Sequence, residues 1–133
     1  MIMALTGYQT HLTVILVALA ILMIGIGAAV FLKGKKKWFL NAHKIFELVG
    51  VSLASVAAIL GGFLFTLVHA IIGVILAGGL WIGVIGGFIY LKMPAKGDQG
   101  IQKKKKMRTM HIWAGRIYIG LFLVNMFVGF ATI

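Results

Sequence analysis

The sequence has no cysteine, a single proline (Pro94) and only two acidic residues, Glu47 and Asp98. Without cysteine there is no disulfide, no thiolate metal site, no iron–sulfur cluster and no thioether-linked c-type heme. The two acids leave thirteen Lys and Arg largely uncompensated, for a net charge of +11. A charge of that size is common among nucleic-acid binders. Here, however, twelve of the thirteen basic residues fall in two short stretches between apolar runs, so a nucleic-acid partner is not expected. The abundance lies in apolar residues: 62% of the chain is hydrophobic, against about 45–50% in an ordinary soluble domain. That excess must face something other than water, and the lipid bilayer is the partner it implies.

A membrane helix needs roughly 20 predominantly apolar residues. Four such spans can be read, at about 11–32, 41–65, 68–91 and 109–133. The boundary between the second and third is set by length, because Val51 to Leu91 holds no charge at all. At ~1.5 Å per residue one helix from Asn41 to Leu91 would far exceed a hydrocarbon core of roughly 30 Å, so two spans joined by a tight turn fit better. The expected fold is all-α: one transmembrane domain over 1–133, an antiparallel four-helix bundle with both termini outside. Lys33, Lys35, Lys36, Lys37 and Lys44 cluster at the 1–2 connection, and Lys92, Lys96, Lys103 to Lys106 and Arg108 at the 3–4 connection. Basic loops stay cytoplasmic, which gives a multi-pass protein of the cell membrane with both charged connections inside. The first span has no basic residue before it and does not read as a cleaved signal peptide. Pro94, Gly97 and Gly100 predict a flexible polar loop between spans 3 and 4.

The four histidines, His11, His43, His69 and His111, stand one at the start of each span. Spans 1 and 3 enter from outside and spans 2 and 4 from inside, so His11 and His69 share the outer level and His43 and His111 the inner one. In an up-down bundle helices 1 and 3 are diagonal, as are 2 and 4, so each pair faces across the axis. Heme iron takes two axial ligands on opposite sides of a flat ring, and imidazole is a common one. Two pairs at two depths therefore predict two hemes. The bland alternative is four interfacial histidines that simply reach water. Glycine adds to the pattern, because a porphyrin needs close backbone approach. Gly25, Gly27, Gly83, Gly86 and Gly87 lie at the level of the inner pair, and Gly61, Gly62 and Gly129 at that of the outer pair. Gly27, Gly86, Gly62 and Gly129 are expected to pack on the hemes. His11 and Gly27 are ~24 Å apart along a helix axis at ~1.5 Å per residue, so transfer between the two faces is geometrically reasonable.

The stretches NAHKIFELVGVSLAS, HAIIGVILAGGLWIG and HIWAGRIYIGLFLVNMFVG resemble the cytochrome b561 family, in particular its minimal four-helix core. The resemblance runs from about His11 to the end and includes His111, Gly115 and Arg116. It implies two non-covalent b-type hemes, the outer ligated by His11 and His69 and the inner by His43 and His111, and electron transport across the membrane. Many relatives carry extra helices or a fused electron-donor domain. This chain has neither, which leaves its redox donor and acceptor open: a quinone, an ascorbate-like reductant, ferric iron or a partner protein. Activity as a ferric or quinone reductase and service as an electron-transfer subunit are both compatible with the pattern.

Arg116 lies five residues into the fourth span and is expected to meet an inner-heme propionate, a guanidinium matching a carboxylate bidentately, or else to snorkel to the interface. Glu47, one turn after His43, would orient His43, face Arg116, take up a proton, or pair simply with Lys44 or Arg116. Trp38, Trp113, Tyr8 and Tyr90 read as interfacial anchors, and Asn125 and Ser52 as interhelical hydrogen bonders. Two other classes compete with the cytochrome reading. One is a heme-free four-helix transporter with Glu47 as its coupling carboxylate, and the other is a structural subunit that only packs against partners. A small glycine-rich bundle is also compatible with a homodimer.

Overall fold

The structure is a computed structural model that describes the backbone of residues 2–32, 38–64 and 67–131, with side-chain surroundings for 7–32, 38–61 and 68–129. Four helices account for nearly all of it: α1 (Ile2–Phe31), α2 (Phe39–Leu64), α3 (Leu67–Lys92) and α4 (Gly97–Ala131). Each contains a stretch long and apolar enough to cross a membrane. Their outward faces carry Val30, Ile59, Ile75, Ile82 and Phe127, all more than half exposed. A helix apolar on all sides belongs in a membrane or a large core, and a four-helix chain has no large core. The protein is a multi-pass membrane-type four-helix bundle.

Neighbours in sequence are neighbours in space: α1 packs on α2, α2 on α3 and α3 on α4. Among the described residues α1 and α4 do not approach within 8 Å between Cα atoms, so that seam is bridged by side chains alone. The bundle has a terminal end, where α1 starts and α4 finishes, and a basic end. Lys44, Lys92, Lys96, Lys103 to Lys106 and Arg108 lie toward the basic end. Lys33, Lys35, Lys36 and Lys37 lie outside the described residues, as do positions 65 and 66 of the tight 2–3 turn.

The two middle helices fall within two residues of the spans read from the sequence, while the outer two are longer. Helix α1 starts at Ile2 instead of near His11. Threonine there does not interrupt the helix, because its hydroxyl can return to the preceding turn, as Thr13 Oγ1 does in donating to the Gln9 carbonyl at 2.8 Å. Helix α4 begins at Gly97 instead of near Thr109, so the expected flexible loop shrinks to Met93–Lys96. Gly97 takes a left-handed φ of 67°, which makes the sharp entry. Asp98 then complements the helix N-terminus, and the lysine run that follows consists of good helix formers. Lys104 Nζ donates to the Met93 carbonyl at 3.1 Å, satisfying the C-terminus of α3, and lies 5.4 Å from the Tyr90 ring centre.

The core is thin and built from small residues. Ala18, Leu22, Val51, Ala54 and Ala57 are almost fully buried, joined by Leu80, Val84 and Phe122. Without a hydrophobic driving force between helices in lipid, close approach through small residues supplies the packing energy. Gly50 shows how tight the α1–α2 contact is: a Cβ there would stand 2.6 Å from Leu22 Cγ and 3.3 Å from the Leu22 backbone nitrogen. Trp81 Nε1 donates to Ser55 Oγ at 3.0 Å and ties α3 to α2 near mid-bundle. Ser52, expected in such a role, instead returns its hydroxyl to the Leu48 carbonyl at 2.8 Å. Gly50→Val should destabilise the bundle by about 1–3 kcal/mol through overpacking. Unfolding in detergent checks this, and Leu22→Ala should cost less in the Gly50→Val background than in the wild type.

Candidate functional site: two facing histidine pairs

The helix register places the four histidines in two pairs across the bundle diagonals. His11 on α1 faces His69 on α3, with ring centres 6.1 Å apart and planes crossed at 75°. His43 on α2 faces His111 on α4, with ring centres 6.2 Å apart and planes at 79°. The pairing read from the sequence is thus the pairing in space. One lies toward each end of the bundle, with ~21 Å of α1 between the His11 level and the Gly25 level at ~1.5 Å per residue.

At the basic end both rings are oriented by main chain. His43 Nδ1 lies 3.1 Å from the Gly25 carbonyl oxygen, and His111 Nδ1 lies 3.0 Å from that of Gly83. A carbonyl can only accept, so each bond fixes a proton on Nδ1 and leaves the Nε2 lone pair to act as a ligand. Glu47 Oε1 is 3.7 Å from the same His43 Nδ1, so the carboxylate is directed at the histidine and not at Lys44 or Arg116. Arg116 is exposed, with its guanidinium 5.3 Å from the Trp113 ring centre. Gly25 and Gly87 form the walls: a Cβ at Gly25 would come 2.9 Å from Phe46 Cβ, and one at Gly87 would come 3.0 Å from His111 Cε1.

The terminal-end pair is more deeply buried, His11 at 6% and His69 at 4% exposure. A small cavity of ≈ 20 Å³ lies beside it, its apolar wall including Ile15, Ala54, Ala58 and Phe122. Gly61 and Gly129 fit against the rings, since a Cβ would stand 2.9 Å from His11 Cε1 and 2.6 Å from His69 Cε1 respectively. Asn125 completes the wall; it is buried at 6% and its side chain lies against His69. It belongs to an inward stripe on α4 made of His111, Gly115, Tyr118, Phe122, Asn125 and Gly129, spaced three and four residues apart.

Of the four glycines expected to pack at the sites, Gly129 stands against a histidine. Near Gly27 only Phe31 of its own helix comes within 4 Å of a Cβ, at 3.9 Å, and a Cβ at Gly86 would meet nothing within 4 Å. Gly62 falls outside the residues whose surroundings are described. Gly25 and Gly83 carry the accepting carbonyls, two and three residues from the expected positions. The glycine-rich levels were visible in the sequence; helix rotation decides which glycine meets the ring.

Each pair sets two imidazoles, the commonest protein ligands of metals, against each other. The two pairs stand at nearly the same ring separation, 6.1 and 6.2 Å. Among the described residues no three His, Cys, Asp or Glu side chains converge on one point.

Fold and geometry together define the class: a membrane-type four-helix bundle with two separated imidazole-pair sites. No protein-family model, no curated protein and no solved structure matches the chain. Histidine NMR tests the geometry on its own terms. Gly129→Ala should shift the imidazole resonances of His69 and His11 and leave those of His43 and His111 in place. Uniform shifts, or none, would contradict the separation into two sites.

Proposed function

We propose that the protein is a diheme b-type cytochrome of the cytochrome b561 type that carries electrons from one face of the membrane to the other. The observation that carries this reading is the pair of facing imidazoles at each end of the bundle, 6.1 and 6.2 Å between ring centres. A planar tetrapyrrole brings four nitrogens of its own and asks the protein for two ligands on opposite sides. Each site offers two. The glycines against the rings support the same reading, because a side chain at Gly61, Gly87 or Gly129 would press on an imidazole.

In this proposal His11 and His69 hold one non-covalent heme b and His43 and His111 the other. When bound, each heme iron would supply one-electron redox chemistry between its ferric and ferrous states. The chain's own contribution is orientation and burial. Nδ1 of His43 and of His111 donates to a carbonyl, which holds Nε2 toward the ligand position and makes it a stronger donor. Phe122, Ile15 and the alanines of the terminal-end wall keep water from that pair. Arg116, about a turn beyond His111, would be a cation for a propionate at the basic end. By the distribution of lysine and arginine the basic end is cytoplasmic and both termini lie outside. The exposed lysines of α4 would face an anionic reductant or an acidic partner at that end, with a quinone, ferric iron or a second redox protein as candidate partner at the other.

Purified in detergent after expression with ample heme supply, the protein should show a low-spin six-coordinate b-type spectrum and two hemes per chain. His43→Ala and His111→Ala should each remove one heme, and His11→Ala and His69→Ala the other. A colourless wild-type protein would overturn the proposal and favour a heme-free transporter working through Glu47.

A further inference from the structure

The four histidines are not oriented alike. At the basic end backbone carbonyls accept from both rings, which no substitution can remove, and the Glu47 carboxyl stands 3.7 Å from His43. At the terminal end His11 has a main-chain partner at Ala57, while a side chain stands beside His69. Asn125 is more than nine-tenths buried in a membrane-spanning helix, where an unmatched amide costs several kcal/mol on the order of a lost hydrogen bond or more. Its Oδ1 is fully buried and meets no donor in good geometry among the described residues. Its Nδ2 is turned toward Gly73, 3.7 Å from where a Cβ would stand. The residues lining the cavity with it are apolar or glycine except for the two histidines. Among the described residues lining the cavity, the side chains that can donate to Oδ1 are imidazoles, and His69 is the one it lies against.

We infer that Asn125 is a positioning residue of the terminal-end site, its carboxamide oxygen serving as acceptor for the ring N–H of His69 and so setting the donor strength of that imidazole. The inference rests on the diheme reading for its redox consequence and on the geometry alone for the contact. An acceptor on the far nitrogen of a ligating histidine fixes the tautomer and raises the basicity of the ligating nitrogen. A more basic axial ligand favours ferric over ferrous iron and lowers the potential. Asn125 thus makes the terminal-end potential adjustable by one side chain. The stripe on α4 explains the placement: seven residues separate Tyr118 from Asn125, two helical turns, so the amide projects inward at the level of His69.

The test compares wild type, Asn125→Leu and Asn125→Asp by heme count, redox titration and low-temperature EPR of the oxidised protein. Asn125→Leu should raise the potential of one heme, the same one that His69→Ala removes, and shift its EPR signal. Asn125→Asp, a stronger acceptor, should lower it. The second heme should stay unchanged in both variants. Unaltered potentials and spectra in variants that retain two hemes would overturn the inference. If Asn125→Leu does not accumulate, Asn125→Asp decides alone by whether the potential of that heme falls. If the wild type carries no heme, the diheme reading fails and the contact is judged by NMR: a His69 imidazole resonance that does not move in Asn125→Asp overturns it.

Discussion

A polar ring placed in hydrocarbon must find its hydrogen-bond partner within the protein, and this requirement organises the bundle. Lipid offers no donor or acceptor, and a helix interior has already committed its backbone groups. An imidazole in such a place needs a carbonyl with a lone pair to spare, close enough to reach. The chain meets this at the basic end by setting glycine where α1 passes His43 and where α3 passes His111, so that main chain lies against the rings. A bulkier residue at Gly25 or Gly87 would force the helices or the rings apart. Helix spacing, ring orientation and which ring nitrogen carries the proton follow from that one demand.

The demand is met unequally along the bundle. Helices α1 and α2 pack through alanine and glycine with little between them, while α1 and α4 are joined only by side chains. The terminal-end histidines sit beside that seam, with a cavity at their side and with Phe122 and Asn125 reaching in from α4. Between the two sites lies the apolar middle, Leu22, Val51 and Leu80, fastened by the Trp81–Ser55 bond. The sites are thereby held apart by a rigid spacer, each with its own orienting groups. Two separate imidazole pairs, one toward each end of the bundle, are the arrangement on which the proposed passage of charge rests.

Much of this was legible in the chain. Span number and the pairing of His11 with His69 and of His43 with His111 follow from hydrophobic length and from one histidine per span. These are one-dimensional properties: a bilayer fixes how long a helix must be, and alternation of direction fixes which ends meet. The helix ends were less legible. The first span was read from about His11 and Gly100 looked like punctuation, yet α1 starts at Ile2 and α4 runs through Gly100. A threonine can bond within its own helix, and Gly100 closes the first turn of α4 over Pro94, whose carbonyl oxygen would be 3.4 Å from a Cβ at position 100.

Rotation about the helix axis is the quantity that only the tertiary structure decided. Composition places glycine at the right depth, but whether Gly25 or Gly27, Gly83 or Gly86 presents its carbonyl to a histidine depends on where each helix settles against its neighbour. One residue turns a helical side chain by about 100°, so a register error of two or three residues points to another face altogether. The same rotation turned Glu47 toward His43 instead of Arg116, gave the interhelical bond to Ser55 instead of Ser52, and brought Asn125 to the wall beside His69. Sequence alone determined a membrane bundle with two levels of histidine, because length and charge act along the chain. Packing decided what touches each ring, because small-residue contacts between helices act across it.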